Sequence, residues 1–209
     1  MKKSSLVLIV SLLFIVSAFI VAAYLITTKK TVETLPVYGE LNVDQSEHTI
    51  KKFKFINQLG DTITDRNFEG KIYVSDFFFA KCQGICPVMA NQMERVHSKY
   101  KGDNQIMFLS HTVKPEEDSV SALLAYANLH HADPTKWHFV TGLKAELYDM
   151  ARNAYLVTVS EGDGGPNDFV HTEMFTLIDT KKRIRGFYDG TDSIAVNKLI
   201  LDIAILKQE

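Results

Sequence analysis

The stretch Asp76-Phe-Phe-Phe-Ala-Lys-Cys82-Gln-Gly-Ile-Cys86-Pro87 joins two different local patterns. Before it, Ile72–Phe79 is a largely apolar run of strand-forming residues, which suits a strand buried on both faces. After it, Pro87 suits the first turn of a helix, and apolar residues recur at helical spacing at Met89, Met93, Val96 and Tyr100. The cysteines are therefore predicted at the carboxyl edge of a sheet, where open α/β folds usually carry their sites.

Strands and helices alternate along the rest of the chain, and a hairpin and a final helix follow. This pattern predicts one α/β domain, and a βαβ start with a hairpin finish is the thioredoxin-like order. Ser160–Asp168, which contains three glycines and a proline, is predicted to be a loop. The predicted elements are a hairpin with strand Phe53–Ile56 and turn Asn57–Asp61, strand Gln105–Ser110, a helix around Val120–Ala127, strand Trp137–Thr141, a helix around Leu143–Ala151, the hairpin Met174–Asp179 with Ile184–Tyr188, and helix Ile194–Leu206.

The amino-terminal segment Leu6–Ile26 contains no charged side chain. As a helix that rises about 1.5 Å per residue, it would cover roughly 30 Å, the thickness of a bilayer core. A cleaved signal peptide is the alternative, but its apolar core is typically only about 7–15 residues long. We therefore expect a cytoplasmic tail at residues 1–5, a single-pass inner-membrane anchor at 6–26, a polar tether at 27–47 and a domain at 48–209 on the periplasmic or equivalent side.

The charge balance of the chain excludes one class of partner. The 209 residues include 23 Lys and Arg against 25 Asp and Glu, a net charge of −2. Residues 1–30 contain four lysines and no acidic residue, so the rest of the chain has a clear acidic excess. Such a domain has no basic surplus to neutralise phosphates, and we expect no nucleic-acid partner. Two cysteines in a chain of this length cannot form a disulfide scaffold.

The two cysteines have a spacing that permits several kinds of chemistry. Unpaired N–H groups and the helix dipole favour thiolate at a helix amino terminus, and thiolate both binds metals and attacks disulfides. Two thiolates with one imidazole suit copper, because Cu(I) accepts a low coordination number. Three intervening residues match neither the thioredoxin motif nor a haem attachment site. The residues alone leave a structural disulfide, redox exchange and a metal site open.

Seven histidines compete for the role of a third ligand. His171 leads, because it follows the glycine-rich loop and precedes a hairpin strand, on a segment that could reach over the cysteine turn. His111 is second, because it ends a predicted strand at the same sheet edge. The others are predicted to be solvated (His48 and His97), exposed (His130 and His131) or in the core (His138).

Four segments in order resemble the SCO/SenC family from about residue 50 to the end. They are the cysteine stretch, Trp137-His-Phe-Val-Thr-Gly142, Val170-His171-Thr172 and Phe187-Tyr-Asp-Gly190. The resemblance implies a membrane-anchored, thioredoxin-like copper chaperone for the dinuclear copper centre of cytochrome c oxidase, with Cys82, Cys86 and His171 as copper ligands. The chain departs from the family pattern at Gln83 and Val170, where many members are acidic, and at Lys114, where the family has Asp.

The resemblance therefore predicts a copper-binding assembly factor rather than a turnover enzyme. It would bind Cu(I) or Cu(II), and its partners would be a copper donor protein and the copper-site subunit of the oxidase or another copper protein. The alternative is a thiol–disulfide oxidoreductase that reduces client cysteines, with Cys82 attacking and Cys86 resolving. A peroxide-reducing enzyme of the same fold is disfavoured, because nothing in the sequence marks a peroxide-polarising arginine near Cys82.

Overall fold

The computed structural model describes residues 11–22, 34–42, 44–158, 165 and 168–209. The chain divides into two compact units, Met1–Glu33 and Thr34–Glu209. In the first unit, residues 11–22 form a helix, α1, with exposed side chains. Within the described residues, no helix has the length and apolar character needed to cross a membrane. Residues 6–10 and 23–26 of the predicted anchor lie outside the described residues, as does most of the predicted loop Ser160–Asp168, so the anchor stays a prediction.

A mixed sheet forms the centre of the second unit. In its described residues the strands are β1 (Lys54–Asn57), β2 (Thr62–Thr64), β3 (Ile72–Phe78), β4 (Ile106–Thr112), β5 (Trp137–Thr141), β6 (Met174–Ile178) and β7 (Ile184–Asp189). The helices are α2 (Cys86–Tyr100), α3 (Val120–Leu129), α4 (Lys144–Asp149) and α5 (Ser193–Leu206), with a 3-10 turn at Asp65–Phe68 and a π-helical turn at Met150–Ala154. The strand order is β2-β1-β5-β4-β3-β6-β7. A parallel βαβ start with an antiparallel hairpin finish is the thioredoxin-like arrangement that the sequence predicts.

The central strands β3 and β4 are buried along their whole length, as predicted for β3. Side chains of a strand alternate between the two faces of the sheet. Val74 of β3 packs in one apolar cluster with Met93 of α2, whereas Tyr73 and Phe77 pack in a second cluster on the other face. The sheet therefore lies between two cores, and neighbouring residues of β3 and β4 have different surroundings.

The topology brings three connecting segments to one edge of the sheet. Strands β3 and β4 are parallel, so the cysteine loop after β3 and the loop after β4 emerge at the same edge. Strand β6 pairs with β3 in the antiparallel direction, with Ser75 opposite Thr176 and Tyr73 opposite Ile178. The start of β6 consequently lies beside the end of β3. His171, three residues before β6, is thus placed at the edge that carries the cysteines.

Part of the segment predicted as a tether packs on the domain. The Leu35 amide donates a hydrogen bond to Glu209 Oε1 at 2.7 Å. Arg185 donates to the carbonyl oxygens of Leu35 at 2.6 Å and Pro36 at 3.0 Å. The compact unit accordingly begins at Thr34, within the predicted tether, rather than at residue 48.

Candidate metal centre

The two cysteines occupy different positions at the start of α2. Cys86 is the first residue of the helix, followed by Pro87 in its first turn. Cys82 lies in the preceding turn, where its amide donates to the Phe79 carbonyl at 3.1 Å. Both are free thiols and both are half-buried. The spacing therefore brings together one sulfur from a turn and one from a helix amino terminus.

The two sulfurs have unequal affinities for a proton. Burial raises the pKa of Cys82, but hydrogen bonds from the Cys86 thiol and from the amides of Cys86, Gly84 and Ile85 outweigh it and lower the pKa below its usual value. The Gly84 nitrogen is 3.4 Å from the Cys82 sulfur. Burial, the hydrogen bond to Cys82 and the nearby charges of Cys82 and Asp76 raise the pKa of Cys86 to about 12. Cys82 is thus the more readily ionised sulfur, and it accepts hydrogen bonds from amides of the turn and of the first residue of α2.

A buried carboxylate ties the cysteine loop to the loop after β4. Asp118 Oδ2 accepts hydrogen bonds from the Ala80 amide at 3.3 Å and the Thr112 hydroxyl at 2.5 Å. Burial raises the pKa of Asp118. This contact cannot be predicted from the sequence, because Asp118 directly precedes Ser119, the N-cap of α3, and resembles an ordinary residue at the start of a helix.

A second buried acid, Asp76, lies in β3, the strand that precedes the cysteine loop. The Asp76 carboxylate accepts a hydrogen bond from the Ser110 hydroxyl at 2.5 Å, and Ser110 accepts one from Trp137 Nε1 at 2.9 Å. Burial raises the pKa of Asp76 to about 7, against the hydrogen bond from Ser110, which lowers it. A signal for this residue was present in the sequence, since Asp76 is the acid in an otherwise largely apolar strand.

His171 is exposed, between the buried residues Val170 and Thr172. Its ring centroid is 6.3 Å from that of Phe169. In the part of the chain that the structure describes, no group of three or more His, Cys, Asp or Glu residues is close enough to hold a metal ion. The structure places His171 at the sheet edge of the cysteines without gathering it into a cluster with them, so the three-ligand set stays a prediction.

His111, the second candidate ligand, is a core residue. Strand β4 continues to Thr112, beyond the predicted end at Ser110, so His111 lies within the strand. Its ring stacks on Phe77 with centroids 4.8 Å apart, and its Nδ1 lies 3.3 Å from the Ser75 hydroxyl. Burial lowers the pKa of His111 to about 3. His111 is fully enclosed in the second core and is not available as a ligand.

Two other histidine predictions were wrong. His97 is buried, with ring centroids of Phe108 and Trp137 at 5.4 and 5.3 Å, and His130 packs on Tyr126 at 4.7 Å. Helical spacing does not reveal which helix positions a neighbouring element covers. His131 is exposed and His138 is buried, as predicted. His48, which was predicted to be solvated, is half-buried, and its Nε2 lies 2.9 Å from the Ala154 carbonyl oxygen.

Comparison with known proteins agrees with the fold. A family model described as SCO1/SenC matches residues 42–204. The "SCO1 protein homolog" of Bacillus subtilis (strain 168) is 25% identical over 167 residues, which cover 79% of this chain and 86% of that protein. A SCO1/SenC family lipoprotein from Bacillus anthracis str. Ames is 26% identical, with a TM-score of 0.65 over 77% of this chain and 95% of the other. Arabidopsis thaliana ScoI with copper bound, at 22% identity, shares the fold with a TM-score of 0.60 over 75% of this chain and 98% of its own.

Proposed function

This chain belongs to the SCO1/SenC family, and from that membership we propose that it is a copper-binding assembly factor for cytochrome c oxidase. It would take copper from a donor protein and pass it to the copper-site subunit of the oxidase. BsSco, a relative of similar structure, is a member of the Sco family of cytochrome c oxidase assembly proteins, and the Arabidopsis relative has copper bound. The observation that carries the proposal is the pair of reduced, hydrogen-bonded thiols at the start of α2.

The donor set fits copper chemically. Cys82 and Cys86 supply two soft thiolates, which can hold Cu(I) with a low coordination number. His171 supplies an imidazole nitrogen, a ligand that suits Cu(II). We propose that the exposed His171 moves toward the sulfurs when copper binds. Because Cys86 must lose its proton to become a ligand, binding releases a proton and strengthens with rising pH.

Copper titration of the purified, reduced protein tests this ligand set. His171→Ala should weaken Cu(II) binding sharply and shift the sulfur-to-copper absorption, whereas Cu(I) should be affected less, because both thiolates remain. His131→Ala, which removes another exposed imidazole, is the matched control and should change neither affinity. Equal copper affinity of the oxidised and reduced proteins would refute the assignment of the two cysteines.

A cellular experiment tests the role in assembly. Cells with His171→Ala should fail to assemble cytochrome c oxidase, and added copper should restore it in part. Fully active oxidase in such cells at low copper would exclude His171 as a functional ligand.

The unequal thiols support a second candidate, a thiol–disulfide oxidoreductase. The Cys82 thiolate would attack one sulfur of a client disulfide and release the other as a thiolate. Cys86, after losing its proton, would then attack Cys82, so that the pair becomes a disulfide and the client gains two electrons. Under this function His171→Ala keeps most of its reductase activity and Cys82→Ser loses it. Failure of the wild-type protein to reduce any model disulfide would eliminate this candidate.

We also propose that residues 6–26 anchor the protein in the inner membrane, with the domain on the periplasmic or equivalent side. The uncharged sequence of that segment supports the proposal. Membrane fractions of the native host should contain the protein with Leu6–Ile26 intact. A soluble mature protein that lacks residues 1–23 would show instead that the segment is a signal peptide.

A further inference from the structure

Lys114 lies between the two segments that carry the proposed ligands. Its Nζ is 4.7 Å from the ring centroid of Phe79 and 5.9 Å from that of Phe169. Phe79 leads into the cysteine loop, and its carbonyl accepts the Cys82 amide. Phe169 is two residues before His171, and their rings are 6.3 Å apart. One ammonium group therefore contacts two aromatic rings, one next to the cysteine loop and one on the segment that carries His171.

The backbone around Lys114 is held in place by several hydrogen bonds. The Val113 amide donates to the Phe78 carbonyl at 2.8 Å, which joins the ends of β4 and β3. The Lys114 amide donates to Thr112 Oγ1 at 2.9 Å, and the Lys114 carbonyl accepts from the Glu117 amide at 2.9 Å. The Nζ atom also pairs with Glu117 Oε1 at 3.1 Å. The backbone of Lys114 is thus fixed by hydrogen bonds next to the end of β3, the strand that precedes the cysteine loop.

The segment before β6 presents Phe169 and His171 on the same side. Asp168 is anchored by two hydrogen bonds from Arg152, at 2.8 and 2.6 Å, and Val170 is fully buried. Phe169 and His171, which alternate with these residues, are both exposed. The buried residues fix the path of the backbone. Lys114 contacts the exposed ring of Phe169, which lies on the same side of the segment as the imidazole of His171.

We propose that Lys114 is a positioning residue of the copper site. Its cation–π contacts hold Phe169, and with it His171, beside Phe79 at the base of the cysteine loop. A cation within about 6 Å of a ring centroid is attracted to the face of the ring, and Lys114 meets this condition for both rings. The inference rests on the proposed function, since it assigns to Lys114 the placement of the imidazole that binds copper.

Substitution of Lys114 tests the proposal by its effect on copper binding. Lys114→Met keeps an unbranched side chain of nearly the same length and removes its charge, and it should weaken Cu(II) binding about 3- to 10-fold. Lys114→Arg keeps the cation and should restore binding. Lys81→Met, which removes the same charge next to Cys82, is the matched control and should have a smaller effect. An equal loss in Lys81→Met and Lys114→Met would show a general charge effect and overturn the proposal.

A double-mutant cycle with Phe169→Leu tests whether Lys114 acts through the ring. Once Phe169 is replaced, Lys114→Met should cause little further loss of Cu(II) affinity. Additive losses would overturn the proposal.

A measurement without copper separates this inference from the proposed function. In the reduced, metal-free protein, Lys114→Met should speed amide hydrogen exchange at residues 168–172, and Lys114→Arg should not. Unchanged exchange would overturn the proposal even if copper binding weakens. If the wild-type protein binds no copper, the proposed function fails. Faster exchange in Lys114→Met but not in Lys114→Arg would even then show that Lys114 holds residues 168–172 in place.

Discussion

At the amino terminus of α2, the interaction between Cys82 and Cys86 lowers the pKa of the Cys82 thiol and raises that of the Cys86 thiol. Two residues that are equivalent in the sequence motif are therefore different chemical groups in the folded protein. Cys82 accepts the hydrogen bonds that stabilise a thiolate, whereas the more deeply placed Cys86 holds its proton. Copper must displace that proton, which links metal binding to pH.

The difference between the thiols predicts a difference in reactivity. In the reduced, metal-free protein, iodoacetamide at pH 7.5 should alkylate Cys82 at least about tenfold faster than Cys86, because the thiolate is the nucleophile. Peptide mass spectrometry after a short reaction measures both rates. The variants Cys82→Ser and Cys86→Ser each isolate one thiol, since the chain has 2 cysteines. Similar rates at the two positions would contradict the prediction.

The buried carboxyl of Asp76 should make the stability of the protein fall as pH rises from 4 to 7. Burial raises the pKa of its carboxyl from the ordinary value of 3.8 to about 7, so between these values the folded state holds a proton that the unfolded state has lost. This contribution to stability is therefore lost as pH rises from 4 to 7 and stays lost above it. Asp76→Asn cannot ionise and should gain stability relative to wild type across this window, on the order of a few kcal/mol by pH 8. Urea unfolding at several pH values measures the difference, and a constant difference would contradict it.

The buried imidazole of His111 should have the opposite effect, a loss of stability as pH falls. Burial lowers the pKa of His111 from 6.5 to about 3, so the unfolded state binds a proton that the folded state refuses. Stability is consequently lost as pH falls from 6.5 to 3. His111→Phe, which keeps a ring against Phe77, should shift the acid-unfolding midpoint to lower pH and leave copper binding unchanged. Circular dichroism followed during acid titration measures the midpoint; a midpoint equal to that of wild type would refute the prediction.

Arg185 is predicted to stabilise the contact of the segment before β1 with the domain. Its buried guanidinium pairs with Asp179 at 3.0 Å and Glu209 at 2.5 Å and donates to the Leu35 carbonyl. Arg185→Met leaves two carboxylates without this partner and should lower the free energy of unfolding by about 3–5 kcal/mol. Lys51→Met, which removes an exposed cation whose partner Asp149 is also exposed, should cost less than about 1 kcal/mol. Denaturant unfolding compares them, and equal losses would show that Arg185 contributes only as a surface charge.

Local patterns in the sequence determined the order of strands and helices and the position of the cysteine turn. Strand Ile72–Phe79 was predicted and β3 is Ile72–Phe78, and helix Ile194–Leu206 was predicted and α5 is Ser193–Leu206. Apolar periodicity and turn residues act over a few neighbouring positions, so they can be recognised without the fold. The 3-10 turn at Asp65–Phe68 and the π-helical turn at Met150–Ala154 carry no comparable pattern and were not predicted.

Only the tertiary structure decided the surroundings of the polar side chains. His97 and His111 are buried because distant aromatic residues pack on them, and Lys114 contacts two rings that are far apart in sequence. The unequal thiols of Cys82 and Cys86 arise in the same way, from the geometry of the turn and the depth of each sulfur. The pKa of a side chain depends on its burial, its hydrogen bonds and the charges near it. All three depend on groups that the fold brings together from distant parts of the chain. The sequence by itself therefore determined which residues could form a site, whereas their protonation and accessibility were decided by long-range packing.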